Sequence, residues 1–294
     1  MPSLDQLKHI YSFANSYQVQ ERVIYNENTA VPAKTRESLR EIEKFCRQRR
    51  RLLDVGCSDG SFLWLAKRHG WVSVCGVELN KDTAEIAREN GFEVFVGELA
   101  AAQFAPFSFD AIHVGDVIEH VQEPGELLSQ ISALLQPDGV VVIVTPNHDA
   151  VFPMLTYWLH RLFTVPWSHP TPPYHLNQFS EKSLDKLVEK SNMQVVERQY
   201  RGCTLRYELG ETHVLRSFRE ALAQRRLAQA AARLLFAVFT VGAYCLAYVV
   251  DRCCLWKKKD FEMTFVVRKR TYDRRGAAQE PAVPAKCQPA GVTR

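Results

Sequence analysis

The sequence predicts an α/β fold, a doubly wound sheet of seven strands with helices on both faces. Three observations lead to this prediction. From residue 51 onward, short apolar runs alternate with amphipathic segments of helical periodicity, which is the order of strands joined by crossover helices. The short runs are apolar throughout, as expected of strands buried on both faces of a parallel sheet. With 294 residues, 46% of them hydrophobic, the chain can bury a large core.

The elements follow in order along the chain. An N-terminal helical cap is predicted over residues 1–50, in which Leu39, Ile42 and Phe45 share one helical face. Strands are predicted at 51–56, 71–79, 92–97, 109–116, 140–147, 193–201 and 261–270. Helices between them are predicted at 61–69, 81–90, 124–136 and 180–192, with a Pro-Asp-Gly turn at 137–139. Ser180 is the expected N-cap of the last helix, and Ser183 stands where a capping box would have Glu.

The fifth predicted strand is followed by an apolar helix at 151–163. Its apolar residues share one face: Phe152, Leu155, Leu159 and Leu162. Two interpretations stay open. The helix covers the substrate pocket, or it lies at a membrane interface with Trp158 and Trp167 at headgroup level.

A longer helical insertion, 202–260, is predicted between the sixth and seventh strands. It contains 17 consecutive uncharged residues, 234–250, after a basic amphipathic stretch suited to an anionic membrane surface. Because the two flanking strands are expected to pair, the insertion must leave and return on one side of a membrane, which argues against a single crossing. Contact with one leaflet through 211–258, a homodimer interface and packing on the domain itself stay open. The basic tail, 271–294, is predicted to be disordered.

Charge and cysteine content exclude several classes of protein. The net charge is +4, but the last 27 residues carry +5 of it, so the first 267 residues sum to −1. This balance argues against a nucleic-acid-binding body. The eight cysteines include no CxxC pair, which excludes a zinc ribbon. The first residues, MPSLDQLKHI, have no signal-peptide pattern. We therefore expect a cytoplasmic protein, peripherally associated with the inner face of a membrane.

The first strand-to-helix turn, LLDVGCSDGSFL (52–63), is a candidate ligand site. Gly56 and Gly60 let a ligand approach the backbone, and the following helix presents free N–H groups there. Glu78 ends the second strand eighteen residues later, where a carboxylate can accept the hydroxyls of a ribose. These features predict a nucleoside at the carboxyl ends of the central strands.

Two nucleoside cofactors compete for this turn. A dinucleotide site would have glycines in the pattern GxGxxG, but Ser58 and Ser61 stand where two of those glycines would lie. Asp54, before the turn, would repel a phosphate and suit a cationic amino acid. The combination favours S-adenosylmethionine.

The motifs together resemble those of the class I S-adenosylmethionine-dependent methyltransferases, whose sheet is Rossmann-like. The branch most similar is that of the ubiquinone-biosynthesis O-methyltransferases. Five segments carry the resemblance: LLDVGCSDG, VCGVELN, FVGELAAAQF, the block from FDAIHVGDVIEH to VVVIVTPN, and HLNQFSEKSL. The resemblance covers 51–201 and 261–270, which we assign to the catalytic domain.

The resemblance implies roles for individual residues. Asp54 and Gly56 would position the methionine part of the cofactor, and the amides of Cys57, Ser58 and Gly60 would line it. The remaining assignments complete the expected cofactor site: Glu78 on ribose, Leu79 and Leu99 on adenine, Glu98 at its amino group, and Asp116 and Val117 on the substrate side.

Proton removal from the acceptor requires a base, and His120, His148 and His175 are the candidates. Asp116, Glu119 and His120 stand at i, i+3 and i+4, a spacing that would place them on one face of a helical turn. The resemblance implies that this cluster can take a divalent metal; a framework role for Glu119 and His120 stays open.

These observations predict an S-adenosylmethionine-dependent methyltransferase that modifies oxygen on a hydrophobic or lipid-linked small molecule. Two other functions stay open: methylation of a soluble sugar or natural product, and a non-catalytic cofactor-binding scaffold of a membrane complex.

Overall fold

The computed structural model describes residues 23–163, 175–202, 205, 209, 214–224, 226–253 and 260–270. Several predicted features lie outside these residues: the first part of the N-terminal cap, Trp167 and the tail 271–294. The described residues form a seven-stranded sheet in the order β3-β2-β1-β4-β5-β7-β6, flanked by helices on both faces. The predicted fold class is confirmed.

The bounds of the elements are as follows. The strands are β1 (Arg51–Val55), β2 (Ser73–Glu78), β3 (Glu93–Val96), β4 (Phe109–Gly115), β5 (Leu135–Pro146), β6 (Met193–Arg201) and β7 (Glu262–Lys269). The helices are α1 (Ala33–Phe45), α2 (Ser61–Arg68), α3 (Lys81–Glu89), α4 (Pro124–Leu134), α5 (Val151–Phe163), α6 (Glu181–Lys190), α7 (Val214–Ala223) and α8 (Leu227–Cys253). A short 3₁₀ turn covers Leu99–Ala102.

Strand β7 departs from the parallel sheet that the alternating pattern predicts. It runs antiparallel to both of its neighbours, β5 and β6. In the register, Glu262 at the start of β7 pairs with Arg201 at the end of β6 and with Pro146 at the end of β5. The chain between β6 and β7 therefore leaves and returns at the same edge of the sheet, so β7 must run in the opposite direction.

One local prediction is corrected, and the predicted N-cap Ser180 is confirmed. The Pro-Asp-Gly sequence 137–139 is not a turn before the fifth strand, because β5 begins at Leu135 and the residues form an irregularity within it. The N-terminus of α6 does form a capping box: Ser183 N donates to Ser180 Oγ at 3.2 Å, and Ser180 N donates to Ser183 Oγ at 2.9 Å. The Ser183 hydroxyl accepts the hydrogen bond from the N-cap amide that a glutamate side chain accepts in the usual capping box.

Apolar side chains fill both faces of the sheet. On one face the core includes Leu128 and Ile131 of α4 and Leu184 of α6, all fully buried. On the other face α1 buries Leu39 and Ile42, as its periodicity predicts. Helices α2 and α3 complete this second layer. The two layers leave the carboxyl ends of β1, β2 and β4 bordered by turns, as a doubly wound sheet requires.

A third cluster joins the two apolar insertions. Phe152 of α5 packs edge-on against Tyr244 of α8, with ring centroids 5.8 Å apart. Leu155 and Leu159 pack against the same cluster, as their predicted shared face requires. Leu162 does not, since 67% of it is exposed. The apolar face of α5 therefore packs on α8 along its length, down to Phe163 against Phe239 at 5.6 Å, while Leu162 faces solvent.

Candidate active site at the carboxyl edge of the sheet

The glycine turn after β1 has the close packing that its sequence predicts. Gly56 has φ 76° and Gly60 has φ 86°. A Cβ at Gly56 would lie 2.3 Å from Val117 Cγ2, and one at Gly60 would lie 3.0 Å from Ala87 Cβ. Both positions therefore require glycine, for conformation and for space.

Cys57 turns its side chain inward from this loop. The residue is 3% exposed, and its Sγ would lie 2.4 Å from a Cβ at Gly76 in β2. Burial is the largest cause that raises the pKa of the Cys57 thiol, which keeps it protonated and unreactive. Only the backbone of Cys57 is available to line a ligand. Gly76 was missed by sequence reasoning, because a glycine inside an apolar strand gives no sign of what packs over it.

Glu78 connects the carboxyl end of β2 to the glycine turn. Its Oε2 accepts a hydrogen bond from Ser58 N at 2.8 Å, and its Oε1 accepts one from Asn80 N at 2.8 Å. Burial raises the pKa of Glu78, and these two amide donors oppose that shift. The carboxylate is half-buried beside the turn, which fits the predicted contact with a ribose.

Asp54 lies beneath the turn. It is 2% exposed, and its Oδ1 lies 2.7 Å from Nδ1 of the buried His113. Burial raises the pKa of Asp54, whereas His113 opposes the shift. His113 stacks on Phe62 with ring centroids 3.8 Å apart, so it is a core histidine. The structure thus gives Asp54 a protein partner, His113, that the sequence prediction of a cofactor amine did not include.

The predicted adenine region follows β3. Leu99 is 7% exposed and begins the 3₁₀ turn, Leu79 is half-buried, and Glu98 is exposed. Gly97 N donates to Glu78 O at 2.9 Å, which joins this region to the end of β2. Leu79 is therefore partly open at the same edge as Glu78, whereas Leu99 is buried in the core.

The turn after β4 differs from the predicted helical face. Asp116 has φ 52°, and the single turn that places His120 N 2.9 Å from Val117 O starts only after it. A residue in the left-handed conformation cannot belong to the same helical turn as Glu119. Asp116 is therefore removed from the predicted metal-ligand group.

Glu119 and His120 are joined instead by His175. One donor atom from each of these residues lies within 4.8 Å of the others, and the two imidazole rings meet edge-on with centroids 4.8 Å apart. The backbone makes the junction, since Leu176 N and Asn177 N both donate to Glu119 O at 2.9 Å. The structure thus brings together two of the three predicted catalytic histidines.

Glu119 is the most buried group of this cluster, at 2% exposed. Its Oε2 accepts from Thr145 Oγ1 at 2.9 Å, whereas its Oε1 has no hydrogen-bond partner among the described residues. Burial, and secondarily the nearby Asp116 carboxylate, raise the pKa of Glu119 to about 8. At neutral pH the group is therefore mostly a neutral acid, which can donate a proton and would have to lose it to bind a cation.

A small cavity of about 30 Å³ lies beside this cluster. Its lining includes Glu119, His148, Pro153, His175, Asn177 and Phe261. His148 is exposed at its rim, and His148 N donates to Phe179 O at 2.8 Å. All the predicted catalytic histidines therefore border or adjoin one space at the carboxyl edge of the sheet.

Two residues of the N-terminal segment also reach this edge and were missed by sequence reasoning. The Tyr25 hydroxyl is held beside Asp59 of the glycine turn; burial first and then Asp59 raise the pKa of this tyrosine. Lys34 Nζ lies 2.7 Å from Asp116 Oδ1 and 2.5 Å from Glu262 Oε2. Neither residue belongs to a motif, and their partners lie far away in sequence.

Comparison with known proteins gives a family for this arrangement. A family model described as a methyltransferase domain matches residues 25–198, more than half of the chain. Over 107 residues the chain is 31% identical to the ubiquinone biosynthesis O-methyltransferase of Aeromonas salmonicida, a match that covers 34% of this chain and 44% of that protein. Over 135 residues it is 29% identical to the mitochondrial ubiquinone biosynthesis O-methyltransferase of Schizosaccharomyces pombe, covering 42% and 48%. The matched region thus spans less than half the length of these relatives.

Solved structures share the fold. A SAM-dependent methyltransferase from Archaeoglobus fulgidus superposes with a TM-score of 0.54 at 16% identity, covering 89% of this chain and all of that one. The [4+2]-cyclase SpnF superposes with a TM-score of 0.56 at 18% identity, covering 91% and 97%. These likenesses, with the family match, confirm the resemblance that the motifs predict.

Proposed function

Because the chain belongs to the methyltransferase-domain family, we propose that it is an S-adenosylmethionine-dependent methyltransferase. We propose further that its acceptor is a hydrophobic or lipid-linked small molecule, which it meets at a membrane surface.

The cofactor site is supported by the fit of the glycine turn. The absence of a Cβ at Gly56 and Gly60 lets Val117 and Ala87 pack closely against the turn, and Glu78 holds its carboxylate at the same edge. These residues, with the backbone of Cys57 and Ser58, would hold S-adenosylmethionine. Bound there, the cofactor supplies an activated methyl group and its own leaving group, so the protein mainly orients the reactants and removes a proton.

The cavity beside Glu119, His148 and His175 supports the proposed site for the acceptor. His120 and His175 would take the proton of an acceptor hydroxyl, because an imidazole titrates close to neutral pH. Glu119, fixed by Thr145, would orient them.

The same three residues also fit a divalent metal. One carboxylate and two imidazoles are a common donor set for such ions, and the buried Glu119 Oε1 has no other acceptor role among the described residues. Such an ion would act as a Lewis acid that lowers the pKa of an acceptor hydroxyl.

Membrane contact is supported by exposed apolar side chains on α5, α7 and α8. Of the twenty large hydrophobic side chains exposed among the described residues, sixteen lie on these three helices. Exposed apolar side chains are therefore concentrated in this part of the molecule. They include Met154, Trp158, Leu162, Leu235, Val238 and Leu246. We call α5, α7 and α8 the apolar helical unit. Helix α8 is also the one described helix long and apolar enough to cross a membrane.

The observation that carries the membrane proposal is that the apolar helical unit lies at the same edge of the sheet as the cavity. Because Arg201 pairs with Glu262, α7 and α8 leave the sheet and return to it at its carboxyl edge. Helix α5 starts at the same edge, where Pro153 lines the cavity while its neighbour Phe152 packs on α8. A single membrane crossing by α8 would separate β6 from β7, so the unit would lie in one leaflet, with the acceptor cavity facing that leaflet.

The charges on the unit favour an anionic lipid surface. Arg216 and Arg219 on α7 and Arg226, Arg233 and Arg252 near or on α8 are all exposed. Arginines beside an apolar face add electrostatic attraction to anionic headgroups. We therefore expect binding that requires both apolar contact and anionic lipid.

The first test is flotation of the full chain with vesicles of phosphatidylcholine and phosphatidylserine. Leu235→Glu combined with Val238→Glu places two charges on the exposed face of α8, where these residues are 73% and 63% exposed. Val72→Glu is the control, because Val72 is 71% exposed at the opposite edge of the sheet. We expect the chain and the control to float and the double variant to remain in the soluble fraction.

Flotation of the double variant, or no flotation of the full chain, would contradict the membrane proposal. A soluble acceptor, with the apolar helical unit forming a homodimer interface, would then be favoured, and the oligomeric state of the double variant would test that function.

A non-catalytic scaffold is the remaining candidate. The likeness to a protein described as a [4+2]-cyclase illustrates that this fold does not fix the reaction. Binding of S-adenosylhomocysteine without turnover of any acceptor would favour the scaffold.

A further inference from the structure

Lys34 is held by two carboxylates that come from distant parts of the chain. Its Nζ lies 2.7 Å and 2.5 Å from the two oxygens of Asp116 and 2.5 Å from Glu262 Oε2. The side chain is 28% exposed. Although burial favours the neutral amine, Asp116 and Glu262 raise the pKa of Lys34 overall. A permanent positive charge therefore lies between the turn after β4 and the start of β7.

This charge is close to the glycine turn. Asp116 precedes Val117, whose Cγ2 would lie 2.3 Å from a Cβ at Gly56. Strands β1 and β4 are neighbours, with Val55 opposite Val114. The ammonium group of Lys34 thus contacts Asp116, and the next residue, Val117, packs on the glycine turn of the predicted cofactor site.

The two forms of the cofactor differ in charge at one atom. S-adenosylmethionine has a positive sulfonium, and S-adenosylhomocysteine, which remains after the sulfur–methyl bond breaks and its electron pair returns to sulfur, has a neutral thioether. A nearby cation repels the first and not the second. Lys34 holds its cation at Asp116, which the sequence predicts to border the cofactor on the substrate side.

We propose that Lys34 is a positioning residue that weakens binding of the cationic cofactor relative to its neutral product, an inference that rests on the proposed function. By holding Asp116, it also keeps that carboxylate from neutralising the sulfonium completely. Because the positive charge on sulfur disappears during transfer, repulsion in the ground state is relieved in the transition state, which favours reaction.

Arg201 limits the consequence of replacing Lys34 to one of its two carboxylate partners, Asp116. Its Nε lies 3.8 Å from Glu262 Oε1, so Glu262 keeps a cationic neighbour when Lys34 is replaced. The carboxylate that loses its partner is Asp116, on the cofactor side. Replacing Lys34 should therefore release negative charge toward the sulfonium.

The test is calorimetric titration of the full chain with S-adenosylmethionine and, separately, with S-adenosylhomocysteine. The quantity of interest is the ratio of the two dissociation constants, because a purely structural contribution changes both constants together. In Lys34→Met we expect the ratio to shift by about tenfold in favour of S-adenosylmethionine, the size of effect that removal of one partly screened charge near a protein surface produces. In Lys34→Arg the ratio should stay close to that of the original chain.

Lys44→Met is the matched control, because it removes the same charge from the same helix. Lys44 Nζ pairs with Glu197 Oε1 at 2.6 Å, near the last turn of α1, and its replacement should leave the ratio unchanged. If Lys34→Met does not fold, Lys34→Gln, which can still donate to Asp116, is measured in its place.

An unchanged ratio in folded Lys34→Met or Lys34→Gln, whether or not both ligands bind more weakly, would overturn the inference. If the unmodified chain bound neither ligand, the proposed function itself would fail. If it bound both and only the ratio were unaffected, the proposed cofactor would stand and the role of Lys34 alone would be refuted.

Discussion

A methyl group of Val117 closes over Gly56, so that a Cβ at Gly56 would lie 2.3 Å from Val117 Cγ2. This contact joins the turn after β4 to the turn after β1. It brings the predicted cofactor loop and the predicted acceptor side together, and it depends on one hydrogen atom in place of a side chain.

Gly56→Ala should therefore damage the site more than an ordinary glycine replacement does. We expect loss of S-adenosylhomocysteine binding and a free energy of unfolding lower by about 2 kcal/mol or more, from the positive φ together with the clash. Denaturant unfolding and calorimetry measure the two effects. Gly70→Ala is the control, since Gly70 has φ 87° but no described residue lies within 4 Å of its added Cβ. It should cost about 1 kcal/mol and leave binding intact; equal effects of the two replacements would contradict the role of the contact.

Glu78→Gln should weaken the binding of both cofactor forms. The carboxylate accepts from Ser58 N and Asn80 N, and an amide side chain offers only one acceptor atom for these two donors. With the charge also lost, we expect binding about tenfold weaker, measured by calorimetry. Glu93→Gln, an exposed residue at the start of β3, should change nothing. Unchanged affinity in Glu78→Gln would remove Glu78 from the cofactor site.

Glu119 should make stability depend on pH. Its pKa is raised to about 8 in the folded protein, from 4.5, mainly by burial. Its stabilising contribution is therefore complete below about pH 4.5 and is lost as the pH rises through about 8. Glu119→Gln, which cannot ionise, should gain free energy of unfolding relative to the original chain between pH 5.5 and pH 9, by on the order of 3 kcal/mol.

Urea unfolding at the two pH values, in the presence of a chelator, measures this difference. The exposed Glu126→Gln of α4 provides the comparison and should follow the original chain. A constant difference between Glu119→Gln and the original chain at both pH values would show that Glu119 does not titrate in this range.

Metal content and turnover should distinguish the two roles proposed for His120 and His175. If they hold a metal, His120→Gln and His175→Gln should each lower both bound metal and kcat, and a chelator should inhibit the original chain. If they act as bases, the protein should contain no stoichiometric metal, and kcat should fall by about 100-fold with cofactor affinity unchanged. His69→Gln, an exposed histidine beside Glu43, serves as the control. Full activity in both site variants would exclude both roles.

The sequence alone determined the elements and the cofactor turn, because both depend on short-range patterns. Periodicity specified strands and helices, and the spacing of Gly56, Gly60 and Glu78 marked a strand-turn-helix that needs no distant partner. The apolar faces of α1 and α5 were predicted for the same reason. The N-cap Ser180 of α6 was predicted correctly as well, and where a pattern was misinterpreted, at 137–139, the error was local.

The tertiary structure decided which chemical groups meet. The direction of β7 follows from where the insertion returns, and the turn at Asp116 breaks a helical spacing that the sequence implied. His175 replaces Asp116 beside Glu119 because the chain after β5 folds back onto the turn after β4. Lys34 meets a carboxylate 82 residues away. These contacts depend on where the chain reverses direction and on many packing interactions together. A contact between residues far apart in the chain leaves no periodic pattern in the sequence, so the sequence alone could not predict it.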